Sequence, residues 1–281
     1  GGMVHWQKPN WFNDVLDAIG ADSQAATNHY FMDDVASHNY AWAWQTFGYM
    51  YQVRTKLNSR SLQSVGLWLT ETGLPVCGDA PGPSCSDVVN SQYRGSMTEQ
   101  ADFLIQSAAW AAWLKAEHYV WFQLYDDCGN GCGGIDAFGL VRNDNTLRPA
   151  YDTYQVINAQ LNSVEPYWRE RRTLTVTNWI TGNQEILAFK RTATHERVVL
   201  MWARYALTDT VTLTATHTSA LLIYPDGTQQ LITPTNGVYT FDLPAVSYFN
   251  TSTNDGNPSN AGTAAVGGRP RILIEYDPNA K

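Results

Sequence analysis

The sequence predicts two architectures in series: an α/β half with a parallel sheet over residues 1–163, and an all-β antiparallel sandwich over residues 164–281. Three observations carry this. Short apolar runs alternate with helical patterns through the first half, the mark of βα units. After about Val164 no helix signal recurs, and short β-rich runs are separated by turn residues. Only three complete βα units fit between residues 31 and 161, too few to cover a parallel sheet on both faces. The first half therefore reads as part of a larger barrel, completed by upstream sequence or by another chain.

Taken in order, Trp11 to Ile19 has apolar residues at helical spacing between Pro9-Asn10 and Gly20. Phe31 to Ser37 is a strand ending at His38, and Ala41 to Leu57 is an aromatic-rich helix. Val65 to Thr70 is a continuous apolar run, as expected of a strand buried on both faces. It delivers Glu71 and then breaks at Gly73. Thr98 to Ala116 is a helix opened near Ser96, with Glu99 in its first turn. Tyr119 to Tyr125 is the next strand, and Pro149 to Leu161 a helix with proline at its first position. Beyond Val164 about seven short strands follow, beginning at Leu174, Glu185, Arg197, Val211, Ala220, Val238 and Arg271. Pro225-Asp226-Gly227 and Asn236-Gly237 are turns between them. The charge-dense stretch Asn162 to Arg172 suits an inter-domain seam or a solvated linker. Asn254 to Gly268 reads as a loop.

Composition limits the function. The chain has 281 residues, 44% hydrophobic and 16% charged, with a net charge of -8. An acidic chain with no basic run argues against nucleic acid or an anionic membrane as partner. No apolar stretch reaches the roughly 18 residues that span a bilayer. The 11 Trp and 15 Tyr include several near strand ends, such as Trp42, Trp44, Trp121 and Tyr125. Aromatic rings of this kind suit a carbohydrate ligand, because they stack on the apolar faces of sugars.

The four cysteines form two local pairs. Cys77 and Cys85 bracket a Gly/Pro-rich loop, and Cys128 and Cys132 bracket Gly-Asn-Gly. They read as two short disulfides formed in an oxidising, extracellular compartment. The rival, a four-cysteine zinc site, fits poorly with seven and three intervening residues. The sequon Asn250-Thr251-Ser252 agrees with secretion where the source glycosylates. The start Gly-Gly-Met-Val-His-Trp has no charged-then-apolar leader, so a secreted protein would have lost its leader or carry it on a longer precursor. His5, His29 and His118 show no metal spacing.

Three strand ends carry chemistry. His38-Asn39-Tyr40, Glu71-Thr72-Gly73, and the strand bearing Trp121 and ending near Asp126-Asp127 would share one face of a parallel barrel. A carboxylate there can attack an anomeric carbon, a tyrosine hydroxyl and an imidazole can hold it, and an indole can floor a sugar subsite. Trp42 and Trp44 follow the first of these ends, and Tyr125 lies in the last strand.

These residues resemble the second half of the clan A (β/α)8 glycoside hydrolases, which include endoglucanases, mannanases and β-xylosidases. The resemblance rests on His38-x-Tyr40, Glu71 before Thr-Gly, and Trp121, in that order. The run from Phe138 to Tyr151 also resembles the segment before the last barrel helix of such enzymes, and Gly267 to Glu275 resembles the last strand of their appended sandwich. The resemblance implies a partial TIM barrel, roughly strands five or six to eight, with Gly1-Gly2 closing strand five. It implies Glu71 as nucleophile of a retaining reaction, His38 and Tyr40 orienting it, Trp121 beneath the sugar, and no cofactor. The family's acid/base, a Glu after Asn at the end of strand four, has no match here. Glu99 and Glu117 belong to a helix, while Glu185, Glu196 and Glu275 belong to the sandwich. The alternative is a non-catalytic carbohydrate-binding or scaffold protein on a degenerate barrel.

Overall fold

The computed structural model describes residues 8, 10–79, 84–85, 94–126, 137–176, 179–204, 208–247 and 265–280. The predicted Cys128–Cys132 pair, Asp127, the sequon at Asn250 and Gly1-Gly2 lie outside these residues.

The first half is layered. Helix α1 (Trp11–Gly20) precedes strand β1 (Asp34–Asn39), helix α2 (Gln45–Asn58), strand β2 (Gly66–Thr72), helix α3 (Met97–Trp113), strand β3 (His118–Trp121) and helix α4 (Pro149–Gln160). The strands form one parallel sheet in the order β1-β2-β3. α1 and α2 cover one face through Phe12, Leu16, Met50, Val53 and Leu57, packed on Val35, Leu67 and Leu69. α3 starts with a reciprocal capping box: Ser96 Oγ accepts from Glu99 N–H and the Glu99 carboxylate accepts from Ser96 N–H. α2 starts four residues later than its apolar pattern suggests. Asn39 holds the intervening turn, accepting from Ala41 N–H and donating to Trp42 O and Thr46 Oγ1.

Burial in the sheet differs from expectation. Residues alternate along β1 and β2, with Leu67 and Leu69 buried but Trp68 and Thr70 only partly so. The continuous apolar run predicts cover on both faces, yet the described helices cover one. On β3, Val120 is 45% exposed. Both outer strands have one unpaired edge among the described residues.

The second half is antiparallel. Strands β4 (Glu165–Val176), β5 (Trp179–Arg191), β6 (Glu196–Ala203), β7 (Asp209–Thr214), β8 (Ala220–Ile223), β9 (Gln229–Ile232), β10 (Val238–Leu243) and β11 (Arg271–Tyr276) build a six-stranded sheet, β4-β5-β6-β11-β8-β9, and a β10-β7 pair. Ile186, Val199, Met201, Val211, Leu213, Tyr239 and Leu273 fill the layer between them. The opposite face of the large sheet offers Leu187, Phe189, Leu200, Trp202 and Ile272 to α3 and α4, in one core with Phe103, Leu104 and Trp110. The charge-dense stretch is thus neither linker nor loop but most of β4. Its arginines are paired across the sheet, Arg169 and Arg171 both reaching Glu185.

Candidate active site

β1 and β2 end side by side. Their register slips by one residue between Ser37 and His38, so that His38 stands opposite Glu71 rather than opposite Thr70. Bulges of this kind re-aim side chains at strand ends. Thr72 fixes the alignment, its Oγ1 donating to Asn39 O at 2.8 Å.

Glu71 is held at one oxygen. Tyr40 Oη donates to Oε2 at 2.7 Å, and His38 Nδ1 lies 3.4 Å from the same atom. That second distance is longer than the usual N–H···O hydrogen bond. Oε1 has no protein partner among the described residues, and the Glu71 side chain is 40% exposed. The carboxylate is thus gripped on one side and presented on the other.

Tyr40 is itself fixed by rings. It meets Phe122 at 5.6 Å and Phe138 at 5.5 Å, edge to face, and those two meet each other at 5.6 Å. Burial pushes its hydroxyl pKa well above the ordinary phenol range, and the Glu71 hydrogen bond and charge add to this. Tyr40 therefore stays a donor wherever Glu71 is ionised. Gly73 is required by the same cluster: a Cβ there would stand 2.4 Å from Phe122 O and 2.9 Å from Phe138 Cδ1. Glycine lets the end of β2 pass beneath the segment after β3.

Trp121 is placed differently from the sequence expectation. It is 6% exposed, its indole N–H donates to Phe138 O at 3.0 Å, and its edge meets Phe103 of α3. The ring beside Tyr40 belongs to the next residue, Phe122. Side chains alternate along a strand, so the residue after Trp121 was the available signal, but an indole draws attention first. Trp42 and Trp44 pair with each other at 5.3 Å beside the start of α2. Tyr125 is 47% exposed and bridges only to Val141 through its backbone. None of these three has a ring or hydrogen-bond contact with Glu71.

A buried ionic brace lies under the loops. Asp79 accepts from Arg142 Nε and from Arg148 Nε at 2.7 Å. Arg148, 2% exposed, also forks onto both oxygens of Asp126 at 2.7 and 2.8 Å and donates to Gly139 O. Asp126 in turn accepts from Gly139 N–H. Burial alone would raise the Asp79 pKa, but hydrogen bonds from Arg142 and Arg148 hold it below the usual carboxylate range. The brace ties the loop after β2, with its Cys77–Cys85 disulfide, to the backbone that carries Phe138. The group was invisible in the sequence because each of its acid–arginine pairs spans 22 to 69 residues. Among the described residues no cluster of three or more His, Cys, Asp or Glu is arranged to hold a metal ion.

No protein-family model and no curated protein matches this chain by sequence. Solved structures do match its fold. A family 39 glycoside hydrolase from the gut symbiont Bacteroides cellulosilyticus WH2 superposes with a TM-score of 0.55 at 17% identity, covering 94% of this chain and 47% of that one. A GH30 endoxylanase from Clostridium papyrosolvens C71 gives 0.52 at 13% identity, covering 95% of this chain and 53% of that one. The fold is thus similar to that of glycoside hydrolases, and the chain spans about half the length of these structures.

Proposed function

We propose that the chain is the later part of a retaining glycoside hydrolase acting on β-linked glycans, with Glu71 as nucleophile. Its parallel half (residues 1–163) is the end of a (β/α)8 barrel, roughly strands five or six to eight, and residues 164–281 are an appended β-sandwich. The observation that carries this reading is the one-sided grip on Glu71: Tyr40 and His38 on Oε2, and Oε1 toward solvent. In this mechanism Oε1 attacks the anomeric carbon as the glycosidic C–O bond breaks and the leaving oxygen takes a proton from the partner acid; water, losing a proton to that same group, then cleaves the glycosyl–enzyme ester and frees Glu71. Tyr40 holds the carboxylate in place and keeps its proton. Phe122, which packs against the ring of Tyr40, takes the part in sugar contact that the sequence assigns to Trp121.

The partner acid comes from outside the described residues. Retaining chemistry needs a second carboxyl about 5–5.5 Å away with a raised pKa. Asp79 and Asp126 are both held by arginines, and Asp79 is shifted the wrong way for a proton donor. The open edges of β1 and β3, and a pocket beside β3 lined by Ala111, Ala116, Tyr119, Ile157 and Leu161, support docking of the missing barrel half. The Cys77–Cys85 disulfide supports secretion.

The test is Glu71→Gln in the full-length assembly, assayed on aryl β-glycosides. Hydrolysis at the unchanged rate sinks the enzyme reading and leaves the carbohydrate-binding one.

A further inference from the structure

The charge around Glu185 in β5 is unbalanced. Glu185 is 1% exposed. Arg169 Nε donates to its Oε1 at 2.9 Å, Arg171 Nε donates to its Oε2 at 3.0 Å, and Arg204 Nε stands 3.8 Å from that same Oε2. Three guanidiniums share one carboxylate, in a chain whose net charge is -8. The next acid along β4 does not compensate, because Glu170 is taken bidentately by Arg172 at 2.8 and 2.9 Å.

The three arginines differ in what they can still do. Arg169 is fixed, its guanidinium lying over the rings of Phe47 and Trp110 at 4.9 and 4.6 Å. Arg171 sits at the rim with its side chain 45% exposed. Arg204 is the least engaged of the three: its side chain is partly buried, it makes no hydrogen bond among the described residues, and its ion pair with Glu185 is long. Burial lowers its pKa, Arg171 lowers it further, and Glu185 offsets this only in part. Arg171 and Arg204 approach Glu185 through Nε, and among the described residues their Nη groups have no acceptor. Paired guanidinium nitrogens are the arginine edge that matches carboxylates and tetrahedral oxyanions.

We propose that Arg171 and Arg204 form a binding site for a small oxyanion, a carboxylate or sulfate-type group, with Glu185 and Arg169 as its scaffold. The site shares no residue with the Glu71 cluster and does not depend on the activity proposed there. The oxyanion is either a free inorganic ion or the acid group of a sugar.

Sulfate, acetate and glucuronate are titrated into the full chain at constant ionic strength, with chloride as control, and followed by calorimetry and thermal melting. Saturable binding of one oxyanion per chain with a rise in Tm is expected. Arg171→Ala weakens it about tenfold, the loss of one charge-assisted hydrogen bond, and Arg204→Ala removes it. Should Arg204→Ala fail to fold, Arg204→Lys keeps the charge, loses the fork and still weakens binding. Tighter binding of glucuronate than of acetate assigns the site to a sugar acid, and sulfate binding without that preference assigns it to a free ion. Absence of saturable binding overturns the proposal, as does a wild-type response in both the Arg171 and the Arg204 variants, which would mark a general salt effect.

Discussion

The parallel and antiparallel halves solve the same problem, burying a sheet, to different degrees. The antiparallel sheet has cover on both faces: β7 and β10 close one side, α3 and α4 the other. One of its buried ion pairs is fully matched: Arg197 Nε donates to Glu275 at 2.5 Å and the second Glu275 oxygen accepts from Thr216 and His217 N–H. The parallel sheet has helices on one face, two unpaired edges, and a partly exposed carboxylate at one strand end. The antiparallel half covers its sheet on both faces and, outside the Glu185 cluster, pairs Arg197 with Glu275 in its interior. The other keeps some polar groups facing outward, and reactivity needs groups that are not fully satisfied.

The strongest way to break this contrast is at Glu71. In the full-length assembly, Glu71→Gln is expected to lower kcat by on the order of a thousandfold or more while leaving the melting temperature nearly unchanged. Next comes a matched pair of buried arginines. Arg148→Ala strands Asp126 and leaves Asp79 to Arg142 alone, and Arg197→Ala removes the arginine partner of Glu275. Each should cost about 3–5 kcal/mol in denaturant unfolding. Only the Arg148 change should also lower kcat of the molecules that remain folded, because its brace carries the backbone of Phe138; equal kcat in both variants would erase the distinction. The Asp79 shift adds a pH signature. Its folded pKa is lowered, so the unfolded chain binds more protons. Its contribution is complete above the unfolded value of about 3.9 and fades as pH falls through the folded one. Arg148→Ala should flatten that acid-side loss.

Tyr40→Phe comes after these. It removes one hydrogen bond to a charged acceptor while keeping the ring cluster, and should reduce kcat roughly 10- to 100-fold with little change in Tm. The smallest effect belongs to Arg172→Ala, which breaks a surface pair with Glu170 and should shift stability by less than about 1 kcal/mol. A loss as large as that of Arg197→Ala would mean that exposure does not separate the two classes of ion pair.

Sequence periodicity located most of the elements because local apolar spacing reports which face a segment buries. It located Glu71 because a strand that ends in an acid and then breaks at glycine is a local pattern. It did not supply the reason for Gly73, which is the approach of Phe122 O and Phe138 from a later segment. One strand and the first part of another escaped. Gln229–Ile232 is almost wholly exposed, so it has no apolar alternation to detect. Glu165–Arg172 looks like a solvated linker until its arginines meet Glu185, 14 and 16 residues away. The three-ring cluster and the Asp79–Arg148–Asp126 brace were hidden for the same reason: their members meet only in the folded chain.

The place of β11 has a bearing on how the molecule is made. It lies in the middle of the six-stranded sheet, between β6 and β8, yet follows every other strand in the chain. Synthesis runs from the amino end, so β6 and β8 leave the ribosome with no neighbour between them. The loop before β11 is also last to seat, its Gly267 and Gly268 carbonyls reached by the Gln106 side chain of α3. A nascent chain therefore holds two bare strand edges open until β11 arrives, and a ribosome that stalls before Arg271 would release a template for aggregation.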